Sequence, residues 1–454
     1  MNVTFTGLTI TGGDGFFGGG GISFGSSSQP VTSGSLTVNK CAIIGNNALD
    51  AGGVFVGAAR TGVNVSIVDS TISGNSSAFG GGVAALLIYD GSSSTPSTLS
   101  IGRSAVSGNT SSGKGGGLHA RLTEAEFAID DCSVSGNTAD KGGGIYVYLD
   151  RADATIAGSS ISDNTASEES GAGGGVFGML GFSPSNGSRL SIEGCAITGN
   201  DSQGTGGGGG VAIDMSAGAN EFSISNSRVA DDNKALYGMG GGLFVKSSQG
   251  GEIRVENCIV SGNSALDEGD VKKAGVGGGV AIDARGAAVT LLQTTISGNV
   301  SKGGLHGGGG LYALLDEGTS PSRMTIDRST ISDNTADAGG GGLFGYISGS
   351  TNELLLANTT VSGNHSLHGM GGGAYVCFKV GGRFDGSNST ISGNDALDQF
   401  LGIGGGMAIS RFSSTSESPG IATLDHMTIS QNRAQVVGAG LFCNVGPGTI
   451  TRRC

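Results

Sequence analysis

The 454-residue sequence has no tryptophan, only six prolines and few charged residues, which make up 13% of the chain. It contains no apolar run of the roughly eighteen residues that a transmembrane helix needs, so no membrane-spanning helix is predicted. The formal net charge is −13 and lysines and arginines form no visible cluster, which argues against a nucleic-acid partner. The first residues, Met1–Phe5, lack the basic and apolar regions of a signal peptide.

Glycine is abundant instead, with 92 residues, and hydrophobic residues make up 37% of the chain. The glycines follow no collagen-type period of three, and the apolar share is too high for a disordered chain. Many glycines and β-branched residues with few charges are typical of an all-β protein that contains many turns.

One motif recurs along the whole chain, and an asparagine marks each copy at spacings of 27 to 38 residues that average about 32. Three residues before the asparagine stands an aliphatic residue, usually Ile or Val, and further apolar residues stand eight and ten residues before it. Gly13 holds the same place in a first copy. The repeat asparagines are Asn46, Asn75, Asn109, Asn137, Asn164, Asn200, Asn233, Asn263, Asn299, Asn334, Asn364, Asn394 and Asn432.

After each asparagine comes a variable stretch, then a short run of glycines, then an aliphatic residue that opens another segment. Alternation with period two predicts three short strands per copy, separated by Gly/Asn/Ser corners. One copy is too short to bury its apolar face, so successive copies must stack about 4.8 Å apart. The sequence therefore predicts an all-β, single-stranded parallel β-helix (a solenoid) of about 14 coils, with a ladder of amide hydrogen bonds between the repeat asparagines.

The pattern [Ile/Val]-x-x-Asn, followed by Gly-Gly-Gly-[Leu/Ile/Val], resembles the paired repeats of chlamydial polymorphic outer-membrane proteins, written FxxN and GGA[ILV]. The resemblance runs from Thr9 to Phe442, with Ile or Val in place of the Phe and Gly in place of the Ala. It implies a place in the wider pectate-lyase-like group of right-handed parallel β-helix repeat proteins. It also implies an extracellular or cell-surface location and a role in adhesion.

We expect residues 1–454 to form a single β-helix domain. An open solenoid needs caps over its terminal turns, and the repeat pattern starts and stops abruptly at both ends. We therefore expect the sequence to be a fragment that lacks its terminal caps.

The residue after the aliphatic that opens the glycine-led segment is aromatic in eight copies. Since its neighbours face inward, the register predicts an outward row that would stack on sugars or bind a protein. The alternative is that the long return loops, such as 85–98 and 178–188, cover this row. The eight residues, here called the aromatic stripe, are Phe55, Tyr146, Phe177, Phe244, Tyr312, Phe344, Tyr375 and Phe442.

Threonine and serine flank the inward aliphatic before most of the asparagines, as Thr330 and Ser332 do. These hydroxyl rows resemble the T-x-T faces of β-solenoid ice-binding proteins. Alanines such as Ala42 and Ala105 interrupt the rows, and Thr and Ser also suit any exposed strand face.

Four cysteines occupy a position five residues before a repeat asparagine, where other copies have mainly Ser or Thr: Cys41, Cys132, Cys195 and Cys258. Neighbouring members are at least two coils apart, about 9.6 Å, which is too far for a disulfide. We predict free, buried thiols at this position. Cys443 and Cys454 are the one pair that the spacing allows to bond.

The sequence assembles no catalytic or metal-binding cluster. His365 and His368 are the closest pair of histidines, and they stand in a loop without a neighbouring cysteine or carboxylate in the sequence. Carbohydrate hydrolysis needs two carboxylates held about 5 to 9 Å apart, whereas Asp69, Asp130 and Asp327 are scattered singly. We therefore predict no catalytic residues, no metal and no cofactor.

The leading hypothesis is a non-catalytic secreted or cell-surface β-helix with a structural or adhesive role. It would bind a glycan or a protein partner through its outward stripes or loops. A carbohydrate-active enzyme on the same fold, either a polysaccharide lyase or a glycoside hydrolase, is the first alternative. An ice-binding protein that uses the hydroxyl rows is the second, and the sequence leaves the oligomeric state open.

Overall fold

A computed structural model of the chain describes residues 1–26, 29–59, 62–88, 95–167, 172–181, 187–267, 275–303, 307–411 and 419–444. Over these ranges the protein consists of short strands and turns and contains no helix. Each turn of the chain contributes one strand to each of four parallel sheets, and about 14 turns follow one another. The predicted all-β parallel solenoid is confirmed.

Sheets 1 and 2 contain the strands that precede each repeat asparagine. The strands of sheet 1 are Asn2–Thr6, Gly34–Asn39, Val63–Val68, Thr98–Gly102, Glu126–Asp130, Asp153–Ala157, Arg189–Glu193, Glu221–Ser225, Glu252–Glu256, Ala288–Leu292, Arg323–Asp327, Glu353–Ala357, Arg383–Ser387 and Ile421–Asp425. The strands of sheet 2 are Thr9–Thr11, Ala42–Ile44, Thr71–Ser73, Ala105–Ser107, Ser133–Ser135, Ser160–Ser162, Ala196–Thr198, Arg228–Ala230, Ile259–Ser261, Thr295–Ser297, Thr330–Ser332, Thr360–Ser362, Thr390–Ser392 and Thr428–Ser430.

Sheets 3 and 4 contain the strands that follow the asparagine. The strands of sheet 3 are Asp14–Gly15, Asn47–Ala48, Ser76–Phe79, Thr110–Lys114, Thr138–Ala139, Thr165–Ala166, Asp201–Ser202, Lys234–Ala235, Ser264–Leu266, Val300–Lys302, Thr335–Ala336, His365–Ser366, Asp395–Ala396 and Arg433–Ala434. The strands of sheet 4 are Ile22–Phe24, Val54–Ala59, Val83–Ile88, Leu118–Thr123, Ile145–Asp150, Val176–Leu180, Val211–Met215, Leu243–Ser247, Val280–Arg285, Leu311–Asp316, Leu343–Ser348, Ala374–Val380, Met407–Arg411 and Leu441–Asn444.

The structure therefore has four strands per turn where the sequence predicted three. The additional strand is the short one of sheet 3, directly after the asparagine, which the sequence pattern indicated as a corner. Thr138 and Ala139 pair in parallel with Thr165 and Ala166 of the next turn. Because the segment is only two to five residues long, its period-two alternation is too short to recognise in the sequence.

The turns group into two compact units. Unit 1 consists of Met1–Gly206, Gly210–Ile213 and Ala219–Phe222. Unit 2 consists of Gly207–Gly209, Asp214–Gly218 and Ser223–Cys454. The expectation of a single domain over residues 1–454 stays a prediction.

Aliphatic side chains at alternate strand positions line the interior of each turn. Ile101, Ile129 and Ile156 are in register on three successive turns, and none of them has exposed surface. Burying a side chain of this size contributes roughly 1.5–3 kcal/mol, and a single turn has nothing to bury it against. Stacking in register is therefore what makes each turn stable.

The repeat asparagines form the predicted ladder. The side-chain Nδ2 of Asn109 donates a hydrogen bond to Asn137 Oδ1 at 3.0 Å. The Oδ1 of Asn109 accepts from both the backbone N–H and the side-chain Nδ2 of Asn75, at 3.0 and 2.9 Å. The same side-chain bond links successive asparagines from Asn46 to Asn200 in unit 1 and from Asn233 to Asn432 in unit 2.

Glycines allow the corners on either side of sheet 3 to close over this ladder. Gly136, directly before Asn137, has a φ of 62°, in the left-handed region that glycine adopts without steric cost. A Cβ added to Gly143 would lie 2.4 Å from Thr165 O in the next turn, which is closer than real Cβ contacts come. Stacked turns at this corner therefore exclude any side chain.

The row of cysteines, serines and threonines forms a second polar ladder. The backbone N–H of Cys132 donates to Ser159 Oγ of the next turn at 3.0 Å, and that hydroxyl donates to Ala157 O at 2.7 Å. As predicted, the four cysteines of this row are buried and none of them is in a disulfide. Burial raises the pKa of Cys258 to about 11, so its thiol stays protonated and unreactive at neutral pH.

Replacement of a ladder asparagine should be strongly destabilising. Asn109→Ala removes the acceptor of Asn75 and deprives Ile72 O and Asn137 Oδ1 of an amide donor. Each buried group that loses its partner costs about 1–3 kcal/mol, so the free energy of unfolding should fall by about 3–5 kcal/mol in a denaturant titration. The control is Asn47→Ala, whose exposed amide bonds Asp14 and which should cost less than about 0.5 kcal/mol. Equal losses in the two variants would contradict the role of the ladder.

Candidate functional site

The aromatic stripe lies on the outer face of sheet 4, and the structure covers most of it. Six of its members have exposed fractions between 0 and 8%, and Tyr312 and Phe442 are half-buried. The six buried members are Phe55, Tyr146, Phe177, Phe244, Phe344 and Tyr375. The structure therefore buries most of the stripe, and its role as a binding surface stays a prediction.

Part of the cover is the backbone of the glycine-rich corner. A Cβ on Gly371 would lie only 2.8 Å from the Cβ of Tyr375, so the corner packs closely against this position of the stripe. The proposed covering loops 85–98 and 178–188 lie partly outside the described residues. The six buried members of the stripe therefore form a second apolar layer outside the coil.

A groove remains in unit 1 where the side chains above this layer leave space, with a volume of about 430 Å³. Its floor consists mainly of the second and fourth residues of successive sheet 4 strands, which all face outward. Asp50, Phe79 and Lys114 form its rim. The groove, here called the outer groove, is lined by Asp50, Phe55, Phe79, Ala84, Leu86, Lys114, His119, Arg121, Tyr146, Tyr148 and Met179.

Aromatic rings follow one another across the floor of the outer groove. The ring centroid of Phe79 lies 6.3 Å from that of His119, which meets Tyr146 edge-on at 5.1 Å. Tyr146 in turn stacks on Phe177 at 5.4 Å. Phe79 is 46% exposed and Tyr148 is half-buried, so both present part of a ring to the groove.

Two cations lie over the tyrosines of the groove. Lys114 Nζ is 5.1 Å from the ring centroid of Tyr146, and the guanidinium carbon of Arg121 is 5.4 Å from that of Tyr148. A cation–π contact at an exposed site is worth about 0.5–1 kcal/mol. These contacts hold the two positive charges at the groove without removing them from solvent.

His119 is a polar residue in the otherwise apolar second layer. It is 9% exposed, and its Nδ1 finds no hydrogen-bond partner among the described residues. Burial, together with the smaller effect of the positive charges of Lys114 and Arg121, lowers the pKa of His119 to about 3. The imidazole is therefore neutral at neutral pH, and its Nδ1 is buried beneath the groove.

The fourth position of the sheet 4 strands was not predicted from the sequence as part of a site. Leu86, Arg121 and Tyr148 are in register on successive turns and form one outward column beside the stripe. The signal was available, because the same period-two alternation that turns the second residue outward also turns the fourth.

In unit 2 the same outward column carries charges of both signs. Lys246 and Asp283 are in register on neighbouring turns, and Asp214 interacts electrostatically with Lys246. Burial raises the pKa of both Asp214 and Asp283 against the opposing effect of nearby cations. The Oδ1 of Asp283 is buried without a hydrogen-bond partner among the described residues. The sequence analysis singled out neither carboxylate.

His365 and His368 of unit 2 each lie close to a carboxylate that is distant from them in the sequence. His365 Nδ1 lies 3.3 Å from Asp395 Oδ2, and His368 Nδ1 lies 2.8 Å from Asp337 Oδ1. Within the described ranges, no group of three or more His, Cys, Asp or Glu side chains could hold a metal ion. Each histidine therefore pairs with its own aspartate at the surface.

The hydroxyl rows lie on the outward face of sheet 2. In unit 2, five successive strands from Thr295–Ser297 to Thr428–Ser430 pair threonine with threonine and serine with serine. Ice binding by these rows stays a prediction. So does the pairing of Cys443 with Cys454, because Cys454 lies outside the described residues.

Four parallel sheets wound from one repeating turn define the class of parallel β-solenoids. A family model for the right-handed β-helix region matches residues 84–312, and the chain belongs to this family. No curated protein and no solved structure matches the chain. The match supports the right-handed coil, and the resemblance to chlamydial repeats stays a prediction. Among the described residues, no helix is long and apolar enough to span a membrane.

The depressed pKa of His119 predicts a specific loss of stability in acid. Its folded pKa of about 3 lies below the ordinary value of 6.5, so below about pH 6.5 the unfolded chain binds more protons. The wild type should then lose about 1.4 kcal/mol per pH unit from this group, down to about pH 3. His119→Phe removes the titrating group and keeps the ring.

Denaturant titrations at about pH 7 and about pH 4.5 test this expectation. The unfolding free energy of the wild type should fall by about 2–3 kcal/mol more than that of His119→Phe. Both proteins share the acid titration of the carboxylates, so the variant serves as the control for the wild type. Equal falls would mean that the imidazole accepts a proton freely in the folded protein.

Proposed function

We propose that this protein is a non-catalytic, secreted or cell-surface β-helix that binds a glycan in the outer groove. The observation that carries this proposal is the combination of partly exposed rings and two cations in one groove. Aromatic faces pack against the C–H faces of sugars, while polar groups bind their hydroxyls. The volume of about 430 Å³ lies within the usual range of small-molecule sites, about 300–1,000 Å³.

The position of the groove on sheet 4 supports binding without large rearrangement. Arg121 and Tyr148 stand on neighbouring strands held in register over six residues. A preformed site loses little conformational entropy when the ligand binds. A structural or adhesive role follows from a binding site that is fixed on a stack of rigid turns.

Tyr148 of the outer groove provides the first test. Tyr148→Ala removes a half-buried ring and should weaken glycan binding about tenfold, equivalent to about 1.4 kcal/mol. A glycan array would identify the ligand, and calorimetric titration would measure the affinity. Phe79→Ala, at the rim, should have a similar effect.

The matched control is Tyr237→Ala, since Tyr237 is also half-buried but belongs to unit 2 and does not line the groove. Its affinity should equal that of the wild type. If the array detects no glycan, or if Tyr237→Ala and Tyr148→Ala weaken binding equally, the outer groove is not a glycan site. Binding of a protein partner that depends on Tyr148 would replace the glycan as ligand.

A second candidate function is carbohydrate cleavage in unit 2. Asp214 and Asp283 flank Lys246 on the outer face of sheet 4, and burial raises the pKa of both carboxyl groups. A general acid requires a carboxyl group with a raised pKa, and a second carboxylate provides the base or nucleophile. This arrangement is the specific observation that favours an enzyme.

Incubation with neutral and acidic polysaccharides tests the second candidate, with new reducing ends and unsaturated products as the readouts. If the site is catalytic, Asp283→Asn should lower the rate by about 10²-fold or more, because the amide can neither donate nor accept the proton. Asp425→Asn, which changes an exposed carboxylate beside His426, should leave the rate unchanged. Absence of products from the wild type would rule out this candidate and leave the binding proposal standing.

A further inference from the structure

Five successive turns of unit 2 present only hydroxyl side chains on the outward face of sheet 2. In the same five turns the outward positions of sheet 1 carry six charged residues: Arg323, Asp327, Glu353, Arg383, Asp385 and Asp425. The ten outward residues of sheet 2, here called the hydroxyl face, are Thr295, Ser297, Thr330, Ser332, Thr360, Ser362, Thr390, Ser392, Thr428 and Ser430. This face is thus uncharged in a protein whose net charge is −13.

The ten side chains form a regular array. From one turn to the next, threonine pairs in register with threonine and serine with serine. The hydroxyls of neighbouring turns are about 4.8 Å apart, and the two columns are about 6.6 Å apart along each strand. Both spacings are comparable to the distances between water molecules on the faces of hexagonal ice.

The array is held from behind, and its hydroxyls face solvent. The aliphatic residue between threonine and serine points inward, and Ile331 and Ile391 have no exposed surface. The hydroxyl of Ser329, in the neighbouring polar ladder, donates to Asp327 O at 2.9 Å. Within the described ranges, by contrast, none of the ten hydroxyls of the hydroxyl face is bonded to another protein group. They are half-buried or exposed, so water is their partner.

The chemistry of this face suits a lattice of water molecules. A charged side chain orders water around itself, in an arrangement that an ice surface does not share. A threonine offers a hydroxyl that can both donate to and accept from lattice water, with a methyl group beside it. Each contact is weak, but ten contacts fixed on one rigid array act together and lose little conformational entropy on binding.

We infer that the hydroxyl face binds the surface of ice crystals, with the threonine column as its main contact. The inference goes beyond the proposed function, since it concerns another sheet and another ligand and does not depend on the outer groove. In unit 1, alanine interrupts the same column at Ala42, Ala105 and Ala196. The uninterrupted array of unit 2 is therefore the part of sheet 2 that carries the activity.

Thermal hysteresis of the full chain tests the inference. This quantity is the gap between the melting and freezing temperatures of a single ice crystal in the protein solution. The wild type should open such a gap, and the gap should widen as the protein concentration rises. The wild type should also be enriched in the ice fraction when a dilute solution is frozen slowly.

Three variants locate the activity. Thr330→Tyr should lose most of the hysteresis, because its ring holds the hydroxyl face away from a flat crystal surface. Thr360→Lys should lose most of it as well, because it introduces a charge into the array. Thr325→Tyr is the matched control and should behave like the wild type, since Thr325 is also half-buried and belongs to the same turn but lies on the charged face of sheet 1. A denaturant titration verifies that each variant is folded.

Three outcomes would overturn the inference. The first is a wild type that shows neither hysteresis nor enrichment in ice. The second is an equal loss in Thr330→Tyr and Thr325→Tyr, because the activity would then not depend on the hydroxyl face. The third is a wild-type dimer in sedimentation that Thr330→Tyr dissociates, without hysteresis, which would assign the face to a second copy of the chain. Glycan binding is measured separately on Tyr148, so the proposed function and this inference can fail independently.

Discussion

The ladder of buried asparagines is the constraint on which the rest of the structure depends. Each internal asparagine uses both its amide donor and its amide acceptor on neighbouring turns, so it can neither move along the strand nor be replaced by a side chain of different shape. A side chain of fixed position requires a corner of fixed shape. The left-handed residue before the asparagine and the closely stacked glycines after it follow from that requirement.

Since the interior and the corners are fixed, chemical variation is confined to the outward positions. On sheet 4 the second residue of each strand faces outward and lies under the glycine corner. This position accommodates aromatic residues and alanine, as at Phe55, Ala84 and Tyr146. The fourth residue of each strand also faces outward, is less covered, and ranges from leucine to arginine and aspartate. Both the outer groove and the charged cluster of unit 2 contain residues from this fourth position.

The parts of this fold that depend on register alone could be predicted from the sequence. The repeat asparagines, the inward aliphatics and the buried cysteines all occur at fixed offsets within the repeat. Each could therefore be predicted residue by residue. The burial of Phe55 and Tyr146 could not be predicted, because it depends on where the backbone of the glycine corner passes in three dimensions. The same holds for the hydrogen bond from Cys132 to Ser159, since the sequence gives the position of the hydroxyl but not its partner.

His119 is a departure from the repeat that the fold itself does not require. Apart from Ser23 in the first turn, other turns have alanine or an aromatic residue at its position, so the fold requires no polar group there. An unpartnered ring nitrogen in this apolar layer costs about 1–3 kcal/mol, which alanine or phenylalanine would avoid. Two cations stand beside it, although a positive charge lowers the pKa of the imidazole and brings it no hydrogen bond. Stability alone therefore accounts for neither the imidazole nor its two cationic neighbours.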